Sequence, residues 1–581
     1  RHKQYNVGMY VAKVPNRNSP PTYLLRESYR EDGKVKNRTL ANLSHLPLSQ
    51  IQLINRVLKG QELVPIDDAF RITRSLPHGH VKAVLDMIHH LKLPGLIASR
   101  SCRQRDLIVA LIAQRILHPS SKLAATRLWK TTTLAEELNV ADADVDEVYD
   151  ALDWLLARQK RIENKLAKRH LTNGDHVLYD VSSSSYTGRT CVLARFGKNR
   201  DGIPGLPCIV YGVMTDAVGR PVAVDVYPGN TGDPSTVPEQ MDKLKNRFGL
   251  ERVVAVGDRG MLTQTQIDTL RKRPGLGWLS ALRSEGIRKL IDKGRIERSL
   301  FDEVNLAEIS SPDFPKERLV ACYNPILAQR RRRKREALLA ATEAKFQRIA
   351  AEVGRRTKTP LAKDEIGVKV GGVLNQFKVG KHFKLTIEDN RFEWQRKQDA
   401  IEKETALDGI YVIRTSEPAD RLSAENAVRS YKQLADVEQA FRWLKSLDLL
   451  VRPIRHRLED RVRAHVFVCM LAYYVLWHLK QAWAPLLFVD EHLAEHRAER
   501  DPVAPAEPAD EVKAKKATRQ TEDGHEVQSF RTLLAELATQ CRNTCEFGEG
   551  ESTACFNKLT EPSPLQSEAF RLLEQFRSQP R

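Results

Sequence analysis

Three acidic residues have the surroundings expected of divalent-cation ligands. Asp180 follows the apolar run HVLY, Asp258 follows RVVAVG, and Glu438 lies in the helical stretch SYKQLADVEQAFRWLK. We expect the two aspartates at strand ends and the glutamate on a packed helix, so that three carboxylates converge. Mg²⁺ prefers oxygen ligands and keeps water and phosphate oxygens in its shell. Two such ions about 3.5–4 Å apart activate an attacking oxygen and stabilise a leaving one, which suits phosphodiester chemistry.

The positions alone do not single these acids out. The chain has 74 Asp and Glu residues, so some follow strands by chance, and Asp216, Asp225 and Asp233 lie in the same region. The turn sequence PGNTGD offers a further pair, Asn230 and Asp233. These two side chains either hydrogen-bond the turn, which is the preferred interpretation, or help to order the acid site.

The stretch that contains both aspartates has the pattern of an α/β core. Residues 173–283 predict the order β-β-β-α-β-α-β, which is typical of a mixed sheet covered by helices. After an interruption, the run DGIYVIRT predicts another strand, and an amphipathic helix is expected from about 423 to 446. Residues 408–484 are therefore expected to complete the same core.

The remaining segments flank or interrupt this core. Residues 76–172 are expected to be helical, and the helix pair around Pro119 is compatible with a DNA-reading helix-turn-helix or with an ordinary bundle. Residues 284–407 predict an inserted subdomain with a long basic helix and the strands IGVKVGG, KHFKLTI and RFEWQR. The other predicted segments are a β-rich N-terminal module (1–75), a mobile linker (485–526) and a helical C-terminal region (527–581).

Charge favours a polyanionic partner. Lys and Arg number 93 against 74 Asp and Glu, which gives a net charge of +19, and binding to nucleic acid through counterion release follows from such an excess. Residues 1–75 contribute thirteen basic and six acidic residues, a net of +7, so this module either contacts DNA or is simply a solvated β-domain.

Other sequence features favour the cytoplasm. The run Val466–Trp477 is too short to span a bilayer and predicts a buried helix. The N-terminal sequence RHKQYNVGMY has no apolar signal-peptide core. Eight cysteines in 581 residues fit reduced thiols, and Cys541, Cys545 and Cys555 lack the paired spacing of a zinc site.

Several local sequences together resemble the DDE transposases of bacterial insertion sequences. These are DVSSSSYTG after Asp180, VYPGNTGD, VAVGDRGM around Asp258, and the helix pattern Tyr431-x2-Leu434-x3-Glu438-x6-Lys445. The subgroup that this chain resembles has a Y-x2-R-x3-E-x6-K helix signature. The resemblance extends over roughly residues 9–480 and implies an RNase H-like catalytic core, with a β-rich insertion between the second Asp and the Glu.

The resemblance also assigns roles to residues. Asp180, Asp258 and Glu438 would be the catalytic metal ligands, with Mg²⁺, or Mn²⁺ as a substitute. Tyr431 and Lys445 would contact DNA phosphate near the cut.

One position departs from the signature. Leu434 replaces its arginine and removes a bidentate phosphate contact, for which Arg442 or Lys432 would have to compensate. Trp394 in the insertion is a candidate for stacking on a flipped base.

Two basic sites are left open between DNA contact and solvated charge. They are His456 with Arg457, and the run Arg330–Arg335.

The predicted function is therefore insertion-sequence transposition. A homodimer on double-stranded DNA would cut the element's ends and join the freed 3′-hydroxyl to target DNA. Two alternatives remain open at this point. One is a decayed transposase that only binds the ends, and the other is an RNase H-like nuclease that cuts without strand transfer.

Overall fold

The computed structural model describes residues 8–17, 19–61, 70–301, 304–446, 448–547 and 554–579. The predicted N-terminal module (1–75) therefore lies partly outside the described residues, at 1–7, 18 and 62–69. The chain divides into two compact units. The first contains Arg1–Ser75 with Arg542–Thr560, and the second contains Leu76–Cys541 with Glu561–Arg581.

Strands and helices are numbered here in chain order. The strands are β1 (Met9–Val14), β2 (Thr22–Glu31), β3 (Lys34–Asn42), β4 (Phe70–Pro77), β5 (His176–Ser185), β6 (Cys208–Thr215), β7 (Pro221–Pro228), β8 (Val253–Val256), β9 (Leu276–Ala281), β10 (Leu306–Ile309), β11 (Arg318–Tyr323), β12 (Phe383–Glu388), β13 (Arg391–Arg396), β14 (Ile410–Thr415), β15 (Cys541–Phe547) and β16 (Ala554–Leu559).

The helices are α1 (Leu48–Leu58), α2 (Gly79–His90), α3 (Leu93–Ile97), α4 (Arg103–Leu117), α5 (Lys122–Leu128), α6 (Leu134–Glu137), α7 (Val145–Leu156), α8 (Gln159–His170), α9 (Asp233–Asp242), α10 (Gln264–Arg271), α11 (Ser284–Asp292), α12 (Pro325–Arg355), α13 (Lys363–Phe377), α14 (Gln398–Thr405), α15 (Ala424–Lys432), α16 (Leu434–Lys445), α17 (Glu459–Ala482), α18 (Leu493–Glu499), α19 (Asp510–Thr518), α20 (Phe530–Ala538) and α21 (Pro564–Ser578).

The first unit contains two small sheets. Strands β1, β2 and β3 form the predicted antiparallel meander. Asp32 and Gly33 both have positive φ between β2 and β3, which is the geometry of a two-residue hairpin turn. The second sheet has the order β16-β15-β4. The prediction that residues 527–581 are helical is therefore wrong for β15 and β16, where Cys, Thr and Phe give β-forming runs.

The second unit is built on an eight-stranded mixed sheet of order β10-β11-β14-β9-β8-β5-β6-β7. Strands β5, β8 and β9 pair in parallel, and the other neighbours are antiparallel. From β5 to β9 the chain follows the predicted β-β-β-α-β-α-β order. The mixed α/β core is therefore confirmed.

Helix α17 lies in the main hydrophobic core of this unit. Its length and composition would also suit a membrane span, but 89% of its most apolar window is buried inside the protein. Side chains are buried on every face, including Phe467, Tyr473 and Tyr474. A helix that is apolar all round belongs in a protein core, as predicted for this stretch.

The inserted segment differs from its prediction. The run IGVKVGG, predicted as a strand, lies in helix α13, where Ile366 and Val370 are buried four residues apart. The β-branched residues suggested a strand, but an acidic first turn at Asp364 and Glu365 favours the helix start. Strands β10 and β11 were not predicted, and although they lie within the expected bounds of the insertion (284–407), they extend the main sheet. The insertion is thus mainly helical, with β12 and β13 as its hairpin.

Two further predictions need correction. The predicted mobile linker contains helices α18 and α19, and Val503 and Val512 within it are buried. The single helix predicted over 423–446 is two helices, α15 and α16, which meet at Gln433. The hydrophobic pattern continues across Gln433, so it did not indicate the break.

Candidate active site

The sheet register brings Asp180 and Asp258 to the same edge. Strands β5 and β8 run parallel, and Leu178 pairs with Val256 at the end of β8. Each aspartate lies two residues beyond this pair, so both follow the carboxyl end of the parallel ladder. Asp180 is inside β5, because β5 continues to Ser185 along β6. The prediction that Asp180 ends its strand is therefore wrong, although the parallel pairing does end there.

Asp180 is half-buried. Its surroundings disfavour the ionised form of its carboxyl group. Burial raises its pKa to about 7, and the charges of Asp258 and Glu438 raise it further. The Val181 amide, which donates to Oδ1 at 2.8 Å, and the charge of Arg200 oppose that rise. Three carboxylates that repel one another without a bound cation are a typical feature of functional sites.

Asp258 is exposed on the tight turn after β8. The Gly260 amide donates to its Oδ2 at 3.1 Å, and the Tyr431 hydroxyl is 3.4 Å from its Oδ1. Burial beside Asp258 raises the pKa of Tyr431, so this hydroxyl keeps its proton and donates it. Tyr431 is thereby placed at the acid cluster and orients Asp258.

Helix α16 presents Glu438 to the same cluster. Its apolar face is buried through Val437, Phe441 and Leu444, and Phe441 lies 5.9 Å from the ring of Tyr211 on β6. Packing of this face against the sheet leaves Glu438 exposed. Glu438 therefore projects from a helix outside the sheet, and its charge raises the pKa of Asp180.

Lys445 joins helix α16 to the segment around Asp180. Its Nζ donates to the Ser183 carbonyl of β5 at 2.6 Å and lies 3.1 Å from Asp201 Oδ1. Arg452 Nη1 also reaches that oxygen, at 2.7 Å. Burial lowers the pKa of Lys445, while Asp201 opposes this change. In this structure Lys445 is a brace between the helix of Glu438 and the strand of Asp180.

Two residues at this site were not predicted. Arg200 pairs with Asp233 at 2.5 Å, and its charge lowers the pKa of the neighbouring Asp180. Its Nη1 is buried and, within the described residues, has no hydrogen-bond partner. Asp201 is the anion that Lys445 and Arg452 share. The segment ARFGKNRDGIPG has no periodicity that would mark either residue, and Asp233 orders Arg200 instead of serving only its own turn.

The other predicted DNA contacts are dispersed. Arg442 is exposed on α16, one turn after Glu438. Leu434 is half-buried and packs against the main core. Trp394 packs inside the insertion, with its ring 5.6 Å from Phe346 and 5.5 Å from Phe392.

Burial distinguishes the residues within the two basic sites whose role the sequence leaves open. His456 is buried, whereas Arg457 is exposed. In the basic run, residues 330–334 are exposed, whereas Arg335 pairs with Asp408 at 2.5 Å.

A second group of metal-ligand type lies elsewhere. Among the described residues, Asp490, His496 and Glu511 have ligand atoms that all lie within 4.8 Å of one another. His496 Nδ1 lies 2.9 Å from Asp490 Oδ1, so hydrogen bonding already accounts for this approach. Asp180, Asp258 and Glu438 do not form a group of this closeness among the described residues.

Comparisons with known proteins identify the chain's relatives. Residues 11–64 match the family model "IS1634 family transposase, N-terminal domain", and residues 194–475 match the model "Transposase DDE domain". The second match includes Asp258 and Glu438 and begins after Asp180. No curated protein matches the chain.

Among solved structures, a similar chain is that of the "Cryo-EM structure of piggyBac transposase synaptic complex with hairpin DNA (SNHP)". It is 11% identical, with 77% of this chain and 87% of that chain covered and a TM-score of 0.25. The two family models extend over both the N-terminal module and the core that holds Asp258 and Glu438. The chain belongs to the DDE transposases of insertion sequences.

Proposed function

We propose that this transposase binds the ends of its element, cleaves phosphodiester bonds there with a divalent cation, and transfers the freed 3′-hydroxyl strand to target DNA. The observation that carries the proposal is the parallel register of β5 and β8. It sets Asp180 and Asp258 two residues beyond the same paired position, with Glu438 near enough to raise the pKa of Asp180. An RNase H-like core is part of the proposal, supported by the mixed sheet.

The donor set fits a hard cation. Asp180, Asp258 and Glu438 offer only carboxylate oxygens, which Mg²⁺ and Mn²⁺ accept. Asp258 and Glu438 are exposed, so DNA can reach them. Bound there, a divalent cation supplies Lewis-acid polarisation of a phosphodiester and a charge that offsets three carboxylates.

The chain's own residues prepare this site. The Tyr431 hydroxyl and the Gly260 amide hold the two oxygens of Asp258. Lys445 bonds the Ser183 carbonyl of β5 and Asp201, which holds the helix of Glu438 beside the strand of Asp180. Such fixed positions reduce the reorganisation that charge stabilisation requires. Lys445 therefore acts in part as a positioning residue.

DNA contact is assigned to the surface around the acids. Tyr431, Lys445 and Arg442 lie on α15 and α16, and Arg442 has the exposure that a phosphate contact requires. Trp394 remains a candidate for base stacking, since its ring is only partly buried. A homodimer on DNA in a bacterial cytoplasm completes the proposal, because transposition pairs two ends and dimers are the commonest symmetric oligomer.

Cleavage of DNA that carries the element's own flanks tests this function. We expect the purified chain to cut at the element's ends with Mg²⁺, and Glu438→Gln to bind those ends without cutting them. End binding by the unmodified chain with no cleavage would instead support the decayed end-binding protein. Cleavage without joining to target DNA would support the nuclease.

A further inference from the structure

A second charged site lies apart from the acids. A cavity of about 180 Å³ opens between α4, α5, α7 and the loop after α16. Of the described residues, no carboxylate lines it, and six basic or imidazole side chains do: Arg115, Lys122, Arg452, Arg455, His456 and His465.

The floor of this cavity holds buried cations without anions. Arg115 and Lys122 are 6% and 4% exposed. Arg115 donates to two backbone carbonyls, those of Leu450 and Ser120, each at 3.2 Å. In the described part of the chain, neither cation forms an ion pair with a carboxylate. A buried charge without a counter-charge is costly, so this floor lacks the anion that would offset it.

Hydrogen bonds orient Lys122 within the floor. Its Nζ lies 2.8 Å from His465 Nδ1, and His465 Nε2 lies 2.9 Å from the Val451 carbonyl. The carbonyl can only accept, so Nε2 holds the hydrogen and Nδ1 accepts from the ammonium. Burial and the charge of Arg115 lower the pKa of Lys122 to about 7. Within the described structure one ammonium hydrogen is therefore used, and the others remain for a ligand.

Further hydrogen-bond donors lie at the opening of the cavity. Arg455 is exposed, and Arg452 is half-buried and already paired with Asp201. Ser120 lies in the lining, and its Oγ is buried without a hydrogen-bond partner among the described residues. The cavity thus combines a cationic floor with an unused hydroxyl donor and an accessible arginine.

We propose that this cavity binds one phosphate group, with Arg115, Lys122 and Ser120 as donors and Arg455 at the mouth. The volume is below that of most small-molecule pockets, which fits a single phosphate group better than a whole nucleotide. Phosphate oxygens accept several charge-assisted hydrogen bonds at once, as this floor requires. The site contains none of the three carboxylates of the acid cluster, and Arg452 of its lining connects it to Asp201 beside Lys445. The phosphate comes either from a DNA backbone or from a free anion.

Titration of the full-length chain with inorganic phosphate tests this site, with thermal unfolding and calorimetry as readouts at constant ionic strength. We expect phosphate to raise the unfolding temperature of the unmodified chain. Lys122→Met should weaken phosphate binding roughly tenfold or more, since it removes a charge-assisted donor. Without phosphate this variant should unfold at the same or a higher temperature, so lost binding is separable from misfolding. Arg127→Met, which removes an exposed cation from the same helix, should leave phosphate binding unchanged.

A second arm identifies the source of the phosphate. If duplex DNA competes with inorganic phosphate, and Lys122→Met weakens both, the site holds a backbone phosphate. If phosphate binds equally well to the DNA-saturated chain, the site holds a free anion. The proposal is overturned if phosphate stabilises the unmodified chain and Lys122→Met equally, or stabilises neither.

Discussion

The acid cluster and the basic cavity both hold charge that the protein only partly compensates, and the two charges have opposite signs. At the acid cluster, Asp180 is half-buried beside two further carboxylates, and one arginine, Arg200, offsets only part of their charge. In the cavity, Arg115 and Lys122 are buried with no carboxylate in the lining. Charge left uncompensated inside a fold indicates a ligand of opposite sign. The first region therefore suits a cation and the second an anion.

A third region contains a buried carboxylate that has a charged partner and hydrogen bonds within the chain. Glu163 is buried on α8, yet it pairs with Arg247 and accepts hydrogen bonds from Gln159 and the Val224 amide. Every oxygen there has a partner within the chain. Such a carboxylate holds secondary structures together, and both of its oxygens are already used.

The largest expected effect is on cleavage. Asp258→Asn should lower the cleavage rate by at least about a hundredfold, because it removes one of the three carboxylates that would hold the cation. End binding should persist, since Asp258 is exposed and its loss creates no cavity. Rates on flanking DNA measure this, with the exposed Asp420→Asn as the control. An Asp258→Asn enzyme that cuts at the unmodified rate would remove Asp258 from the site.

The next effect is on stability without metal. Asp180 has a pKa of about 7 when folded and 3.8 ordinarily, so the folded chain keeps a proton that the unfolded chain loses. Stability should therefore fall as pH rises from about 4 to about 7, by roughly 2–4 kcal/mol. Asp180→Asn should flatten this dependence in EDTA, as followed by urea unfolding. An unchanged slope in the variant would contradict the assigned environment of Asp180.

The basic cavity should show the opposite slope at higher pH. The pKa of Lys122 is about 7 when folded and 10.5 ordinarily. The unfolded chain holds this proton from about pH 7 to 10.5 and the folded chain does not, so stability should rise with pH there, by roughly 2–3 kcal/mol between pH 7.5 and 9.5. Lys122→Met should remove that rise, and urea unfolding at pH 7.5 and 9.5 would measure it. If the rise persists in the variant, another group causes it.

The smallest effect concerns DNA affinity. Arg442→Met should reduce the slope of log affinity against log salt by about 0.9, the value for one phosphate contact. Stability should not change, because Arg442 is exposed. Fluorescence anisotropy across salt concentrations measures this, with the exposed Arg421→Met as the control. Equal slopes for all three proteins would exclude Arg442 as the replacement for the arginine missing at position 434.

The sequence predicted the parts of this molecule whose signal is local. Asp180, Asp258 and Glu438 each follow or lie in a recognisable strand or helix, and the β-β-β-α-β-α-β order can be read from hydrophobic periodicity. Arg200 and Asp201 were missed because their partners are distant in the chain. Asp201 meets Lys445, which lies 244 residues away.

The basic cavity was missed for the same reason. Lys122 was assigned to one of two paired helices, but its partner His465 lies 343 residues away. Local sequence also misled at IGVKVGG, where β-branched residues hid a helical spacing. Contacts between distant segments decide such cases, and a single sequence does not display them.

The most direct test of the acid cluster is Mn²⁺ binding to the full-length chain, measured by electron paramagnetic resonance in a His496→Gln background. That background removes the separate group of Asp490, His496 and Glu511. Saturable Mn²⁺ binding should occur, and should be lost when Asp180→Asn, Asp258→Asn or Glu438→Gln is added singly. Binding that survives all three substitutions unchanged would contradict the claim that these carboxylates form one cation site.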